Sequence, residues 1–287
     1  VINDLNPTAF TYGSHKGNAR IVFSQGIPHY LNKEEFKAVI GHEIGHIAHM
    51  DFVVMAIAGL IVSLLFQIYV VFARSRSGNS KESGRLAIIG WISYVFYIIA
   101  TYLVLYLSRI REYYADEFAA ENADANMLSS ALIKIAYGII AAADTKQTEN
   151  LIKSTRTMGI YDFNAAKNYG LSASAYITSN DSSVIDKAIV YDLKNPWAFI
   201  SELSSSHPLT GKRILRLQEI AKQTRKKIMF DIDAIKNYPI DHAKMYGGFF
   251  KDLIFASNVG LVAAFIVFAV ISYLAFAPNL GKFFFSL

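Results

Sequence analysis

The chain has 287 residues, 53% of them hydrophobic, a formal net charge of +5 and no cysteine. The apolar share exceeds that of an ordinary soluble domain, and the lack of cysteine excludes disulfides and thiolate chemistry. In so apolar a chain the basic excess points to membrane lipid as a partner rather than nucleic acid, for which no motif is present. The chain opens at Val1, not Met, so an N-terminal part lying outside this sequence is expected.

Residues 1–31 read as loop and strand. "ARIVFSQGI" (Ala19–Ile27) has a strand-like core bounded by the turn signals "KGN" and "GIP". The pattern then changes to a helix. Asn32 is placed to cap it, with Glu35 three residues on at capping-box spacing. Phe36, Val39, Ile40, Ile44 and Ile47 recur at helical intervals.

No Gly or Pro separates this helix from the apolar run Phe52–Ala73, so the two are expected to be continuous. A short basic linker, 74–85, leads to a second run, Leu86–Leu107, and a third covers Leu253–Phe276. None of the three contains Asp, Glu, Lys, Arg or His. At ~1.5 Å per residue each can cross ~30 Å of hydrocarbon, and a soluble core helix of this length with no charged face is unusual. The second run passes without a break into "SRIREYYADEFAAENADANMLSSALIKIAYGIIAAA", again helical. Residues 144–206 are mixed and polar. A later helix is expected to start at "SSSHPLTGKRI", capped by Ser205 or Ser206 with Pro208 in its first turn.

Chemistry concentrates in "HEIGH". His42 and His46, at i and i+4, share one helix face and can share a tetrahedral ion. Glu43 lies ~100° round the axis, beside the metal, where a general base for a metal-activated water belongs. His49 lies about two turns from His42 and cannot converge with both histidines on one ion, so it reads as a surface residue. A third ligand is needed, and the returning helix offers Glu112, Asp116, Glu117 and Glu121. His46 precedes the first apolar run by six residues and His42 by ten; Glu112 follows the second by five and Asp116 by nine. An antiparallel hairpin would bring these groups level, ~8–15 Å above one hydrocarbon edge. That arithmetic narrows the third ligand to roughly residues 112–117 and does not choose among them.

"HEIGH" ahead of an apolar hairpin, followed by "SRIREYYADEFAAE", resembles the membrane zinc metallopeptidases of the M48, HtpX-like heat-shock protease family. "PTAFTYG" (7–13), "ARIVFSQGI" and "NPWAFISELSSSHPLTGKRI" (195–214) are similar to other blocks of that family, and the resemblance covers roughly residues 5–220. Thr8 departs from it, standing where the family commonly has Asn. The resemblance implies one zinc ion per chain on His42, His46 and Glu112, with Glu43 as base and Asp116 orienting a ligand histidine. It places His207 near the cleft, as a partner for a developing oxyanion, and Arg213 as partner of an acidic site residue or a substrate carboxylate. It also implies two further spans ahead of the catalytic helix. Peptidases of this type generally bind substrate as an added strand, which makes Ala19, Ile21 and Phe23 candidate substrate contacts.

The expected fold is a mainly α membrane protein with a small β-sheet. It is a zincin-type metallopeptidase domain with an inserted transmembrane hairpin and a C-terminal transmembrane helix. The divisions are residues 1–51 and 108–252 for the catalytic domain, 52–107 for the hairpin, and 253–287 for the last helix and tail. The function expected is zinc-dependent endoproteolysis of misfolded membrane proteins or unfolded segments near the bilayer. Polypeptide substrates are the principal partners, and a homo-oligomer or membrane complex is compatible. The alternatives are a non-proteolytic zincin-fold subunit of a membrane complex and a prenyl-protein endopeptidase. Lys and Arg near the ends of the runs number about seven on the catalytic side and about five on the other. That balance favours a multi-pass cell-membrane protein with a cytoplasmic catalytic domain.

Overall fold

The computed structural model describes residues 1–73, 80–141 and 182–255. Strands β1 (Ala9–Tyr12) and β2 (Arg20–Phe23) form an antiparallel pair, Ala9 opposite Phe23 and Thr11 opposite Ile21. They are the only sheet among the described residues. Gly26–Tyr30 forms a short helix, α1, so the predicted strand ends at Phe23. Six longer helices follow: α2 (Lys33–Ala48), α3 (Asp51–Ala73), α4 (Ser80–Asn122), α5 (Ala125–Ala141), α6 (Ser182–Lys194) and α7 (Pro196–Leu203). Then come α8 (Thr210–Gln223) and the short α9 (Ile232–Lys236). All of these lie in one unit, Val1–Tyr238.

The capping box at the head of α2 forms as expected. Asn32 accepts from the backbone N–H of Glu34 and Glu35, and Glu35 accepts in return from that of Asn32. Glu35 is also buried against α5, where Ser130 and Lys134 reach its carboxylate. This local signal therefore also fixes the rotation of α2 against its neighbour.

The face that α2 buries coincides with the Phe36–Ile47 stripe only at Val39. Ala38, Val39, His42, Glu43 and Gly45 are buried, whereas Ile44 is 40% exposed. Small residues and the histidine–glutamate group face α4, because close approach of the two backbones brings side chains of both helices into one site. A Cβ on Gly45 would lie 2.9 Å from Ala115 Cα and 3.2 Å from its carbonyl oxygen. Gly45→Ala is therefore expected to force α2 and α4 apart, at a cost of about 1–3 kcal/mol. A fall in the unfolding midpoint, with weaker metal binding, would be the measured result; an unchanged midpoint would contradict this packing.

α2 and α3 are not continuous, contrary to the sequence expectation. α2 ends at Ala48, and Met50 adopts φ 53°, the left-handed region. A non-glycine residue there costs roughly 1–2 kcal/mol, so neighbouring contacts must hold it. The break reorients the chain before Asp51 begins α3.

α3 packs along α4 with opposite chain direction: Asp51 meets Arg111, Ser93 donates to the carbonyl of Leu65, and Tyr69 stacks near Trp91 and Tyr94. Both contain stretches long and apolar enough to cross a membrane, by length and composition. Ile57, Leu60, Leu64 and Val71 on α3, and Trp91, Val95 and Leu103 on α4, are all more than half exposed. α4 then continues without interruption into the domain, where Ala115 and Ala119 are buried.

Leu128, Leu132 and Ile135 of α5, Ile185 and Ile189 of α6, and Ile214 and Leu217 of α8 form the apolar core. α8 begins at Thr210, later than predicted, and no side chain of its own caps it. Tertiary partners do so instead: Glu202 accepts from the N–H of Leu209, and Asp192 from that of Gly211. Burial pushes the Asp192 carboxyl up to about 7, with Glu202 adding to it and the Gly211 N–H and Lys212 opposing. A carboxyl that is harder to ionise folded than unfolded costs stability as pH rises from about 4 to about 7, and the cost is complete above that. Asp192→Asn keeps an acceptor for Gly211 without the charge. It is expected to unfold at a higher midpoint than wild type at pH 8, with the gap closing towards pH 4; a gap independent of pH would exclude Asp192 as its source.

Pro239–Leu287 forms a unit of its own, with a helix over 242–255 in its described part. Of the predicted third span, only Leu253–Phe255 lie within the described residues, and 256–276 lie outside them. So do 74–79 of the linker, 142–143, and 144–181 of the mixed region.

Candidate metal centre

α2 and α4 cross where their small residues let them, and their buried polar groups meet there. His42 Nε2 and His46 Nε2 lie 3.1 Å apart. Glu112 of α4 approaches them with Oε2 at 3.6 Å from His42 Nε2 and Oε1 at 3.5 Å from His46 Nε2. Among the described residues this is the one group of three suited to a metal ion.

The fit to a cation rests on what each nitrogen and oxygen already does. His42 Nδ1 faces Asp116 Oδ1 at 2.9 Å, and His46 Nδ1 is bonded to Asp51. With Nδ1 of each ring turned to a carboxylate, Nε2 is the nitrogen left to face the centre. Glu112 Oε2 is buried and makes no hydrogen bond, although the His207 ring and the Arg213 guanidinium lie 3.2 and 3.4 Å from it. Two lone pairs and a carboxylate facing one another at 3.1–3.6 Å match a tetrahedral edge of ~3.3 Å for zinc bonds of ~2.0–2.1 Å. Without a cation the inward charge must be met by a proton. His42, which burial would push down, is instead pushed up to about 9 by Asp116 and Glu112.

Arg213, fully buried on α8, makes a forked pair with Asp116, Nε to Oδ2 at 2.8 Å and Nη2 to Oδ1 at 2.6 Å. Its Nη1 lies 3.4 Å from Glu112. Of the two partners implied for Arg213, the structure supplies the acidic site residue. Arg213 does not line the adjoining cavity. That cavity, of about 390 Å³, is bordered by Thr11, Tyr12, His46, Met55, Arg111 and His207, among others.

Glu43 is buried, and its Oε2 accepts from the Thr11 hydroxyl at 2.7 Å. Its Oε1 has no partner. His207 lines the cavity with Nδ1 3.2 Å from Glu112 Oε2, and its Nε2 has no hydrogen-bond partner. It lies in the turn before α8 rather than in the helix. There Ser205, the predicted cap, accepts from its N–H and donates to its carbonyl oxygen. Arg109 of α4 donates to the carbonyls of Glu202 and Ser205, tying that turn to the helix that carries Glu112.

Ala19, Ile21 and Phe23 do not border the cavity. β1 does, through Thr11 and Tyr12, while Phe23 packs on Phe36. His49 is exposed beside Tyr114 and Phe118, as its position on the helix implied. Thr11, Asp51, Arg109 and Arg111 were not among the candidate site residues; the two arginines entered only the charge count at the ends of the apolar runs. Only Asp51 carried a signal in the sequence, as a lone acid heading an uncharged apolar run.

A helix presenting two histidines and a glutamate, completed by a carboxylate from a facing helix, defines a domain of the metallopeptidase class. The chain belongs to peptidase family M48, whose model matches residues 1–221. It is 32% identical over 222 residues to a protein named "Protease HtpX homolog" from Archaeoglobus fulgidus, covering 75% of this chain and 60% of that one. A second of that name, from Methanothermobacter thermautotrophicus, is 36% identical over 132 residues, or 45% of this chain and 48% of the relative. A third, from Bifidobacterium longum, is 30% identical over 225 residues, covering 76% and 63%. The chain thus spans about 60% or less of the length of the first two relatives. No solved structure matches.

Proposed function

We propose that this chain carries the active site of an integral-membrane, zinc-dependent endopeptidase that cleaves misfolded membrane proteins or unfolded segments close to the bilayer. The observation that carries the reading is the convergence of His42 Nε2, His46 Nε2 and Glu112 at the roots of two exposed apolar helices. α3 and α4 would serve as membrane spans, with the site at the bilayer surface on the cytoplasmic side.

A zinc ion held by His42, His46 and Glu112 would supply Lewis-acid polarisation of water and of the scissile carbonyl. Glu43 takes the proton from the attacking water at its free Oε1 and delivers it to the leaving amine. Thr11 holds the other oxygen of Glu43 and so fixes the direction of that transfer. His207, which lines the cavity and whose Nε2 has no hydrogen-bond partner, would donate to the oxyanion as it develops. Arg213 holds Asp116, which holds the ring of His42. An extended substrate would lie along Thr11–Gly13, which borders the cavity, with Ala19 and the β2 residues Ile21 and Phe23 behind it.

The test is cleavage of an unfolded model polypeptide by the detergent-purified protein. Stripping the metal with a chelator should abolish cleavage, and zinc should restore it. Cleavage that survives stripping would exclude the reading.

A further inference from the structure

Each of the two ligand histidines rests on a carboxylate that is paired with an arginine, but only one of the two arrangements belongs to the domain alone. His42 leans on Asp116, which is gripped by Arg213. His46 leans on Asp51, which is ion-paired with Arg111: Nδ1 is hydrogen-bonded to Oδ2, and Arg111 Nε lies 3.0 Å from Oδ1. Asp51 is 4% exposed. It is the first residue of α3, and Arg111 lies on α4 just past its apolar stretch.

Had α2 run straight into α3, Asp51 would follow His46 by five residues, about 140° round the axis, facing away from the ring. The left-handed Met50 removes that obstacle. Met50 is itself 45% exposed, so its own burial does not explain a conformation that is costly for a side chain. The contacts made one residue later do.

We propose that Asp51 and Arg111 form a positioning pair that sets the ring of His46 and ties the metal centre to the roots of the α3–α4 hairpin. Asp51 orients the imidazole and raises its basicity as a ligand, and Arg111 acts through Asp51. A shift of α3 against α4 then reaches the metal through one carboxylate. The proposal rests on the zinc-site reading above.

The experiment is zinc affinity of the full chain in detergent, measured by competition with a chromogenic chelator, for wild type, Asp51→Asn, Asp51→Ala, Arg111→Ala and the double alanine variant. Asp51→Ala should weaken binding about 10–100-fold. Asp51→Asn, near-isosteric and still an acceptor for Nδ1–H, should lose less. Arg111→Ala should lose less again, and the double variant no more than Asp51→Ala alone, since Arg111 acts only through Asp51. At saturating zinc, kcat should fall in the Asp51 variants while KM holds. The idea is overturned if folded Asp51→Asn and Asp51→Ala both bind zinc within twofold of wild type, or if the losses of the two single alanine variants multiply. A wild type that takes up no zinc overturns the zinc-site reading together with this one, whereas tight wild-type binding with indifferent variants overturns this one alone.

Discussion

Glu43→Gln is expected to abolish proteolysis while leaving the metal in place. The amide matches the carboxylate in shape and can still accept from the Thr11 hydroxyl, which lies 2.7 Å from Oε2. It cannot take a proton from water at neutral pH. Loss of a positioned general base costs on the order of 10²–10⁴ in rate. His42, His46 and Glu112 are untouched, so metal stoichiometry should match wild type. The measurement pairs a hydrolysis rate with a metal analysis of the same sample. A variant within threefold of the wild-type rate would remove Glu43 from the chemistry. A variant that loses its metal would show instead that Glu43 supports the ligands.

Arg213→Ala is expected to destabilise the protein more than any substitution on its surface. Arg213 is 2% exposed, and two of its nitrogens engage both oxygens of Asp116, itself 1% exposed. Removing the cation leaves a buried carboxylate without its fork, at a cost of about 3–5 kcal/mol. The loosened Asp116 then no longer holds His42, so zinc affinity should fall with the unfolding midpoint. Arg213→Lys should rescue little, because an ammonium cannot reproduce the forked geometry. Denaturant unfolding in detergent checks the first effect and chelator competition the second. Full stability in Arg213→Ala would mean that Asp116 is carried by other groups.

Two different length scales separate what could be read in the chain from what could not. The cap of α2 was legible because Asn32 and Glu35 act within one turn, where spacing alone sets geometry. The same holds for His42 and His46. The third ligand was confined to residues 112–117 by counting outward from two apolar runs, and only the family resemblance selected Glu112. It comes from a helix whose rotation depends on how Gly45 and Ala115 pack.

The start of α8 was misread because Ser205 looked like a local cap while Glu202 and Asp192, from other helices, do that work. Ile44 looked like core by its period, yet the buried face of α2 was decided by its partner helix. The break at Met50 left no mark at all. Neither Gly nor Pro announces it, and it is held by the ties from Asp51 to His46 and Arg111.

By itself, then, the sequence determined the chemistry of the metal helix and the presence of apolar runs long enough to cross a bilayer. It also determined that the site stands close to where the first of those runs begins and the second ends. These depend on residue type and on spacing along one helix, which the chain carries locally. Only the tertiary structure decided which carboxylates back which histidine, that β1 rather than β2 borders the cavity, and that the chain breaks at Met50 between α2 and α3. Each of those is a contact between residues far apart in the chain or a backbone turn that such contacts hold, and no local pattern encodes it.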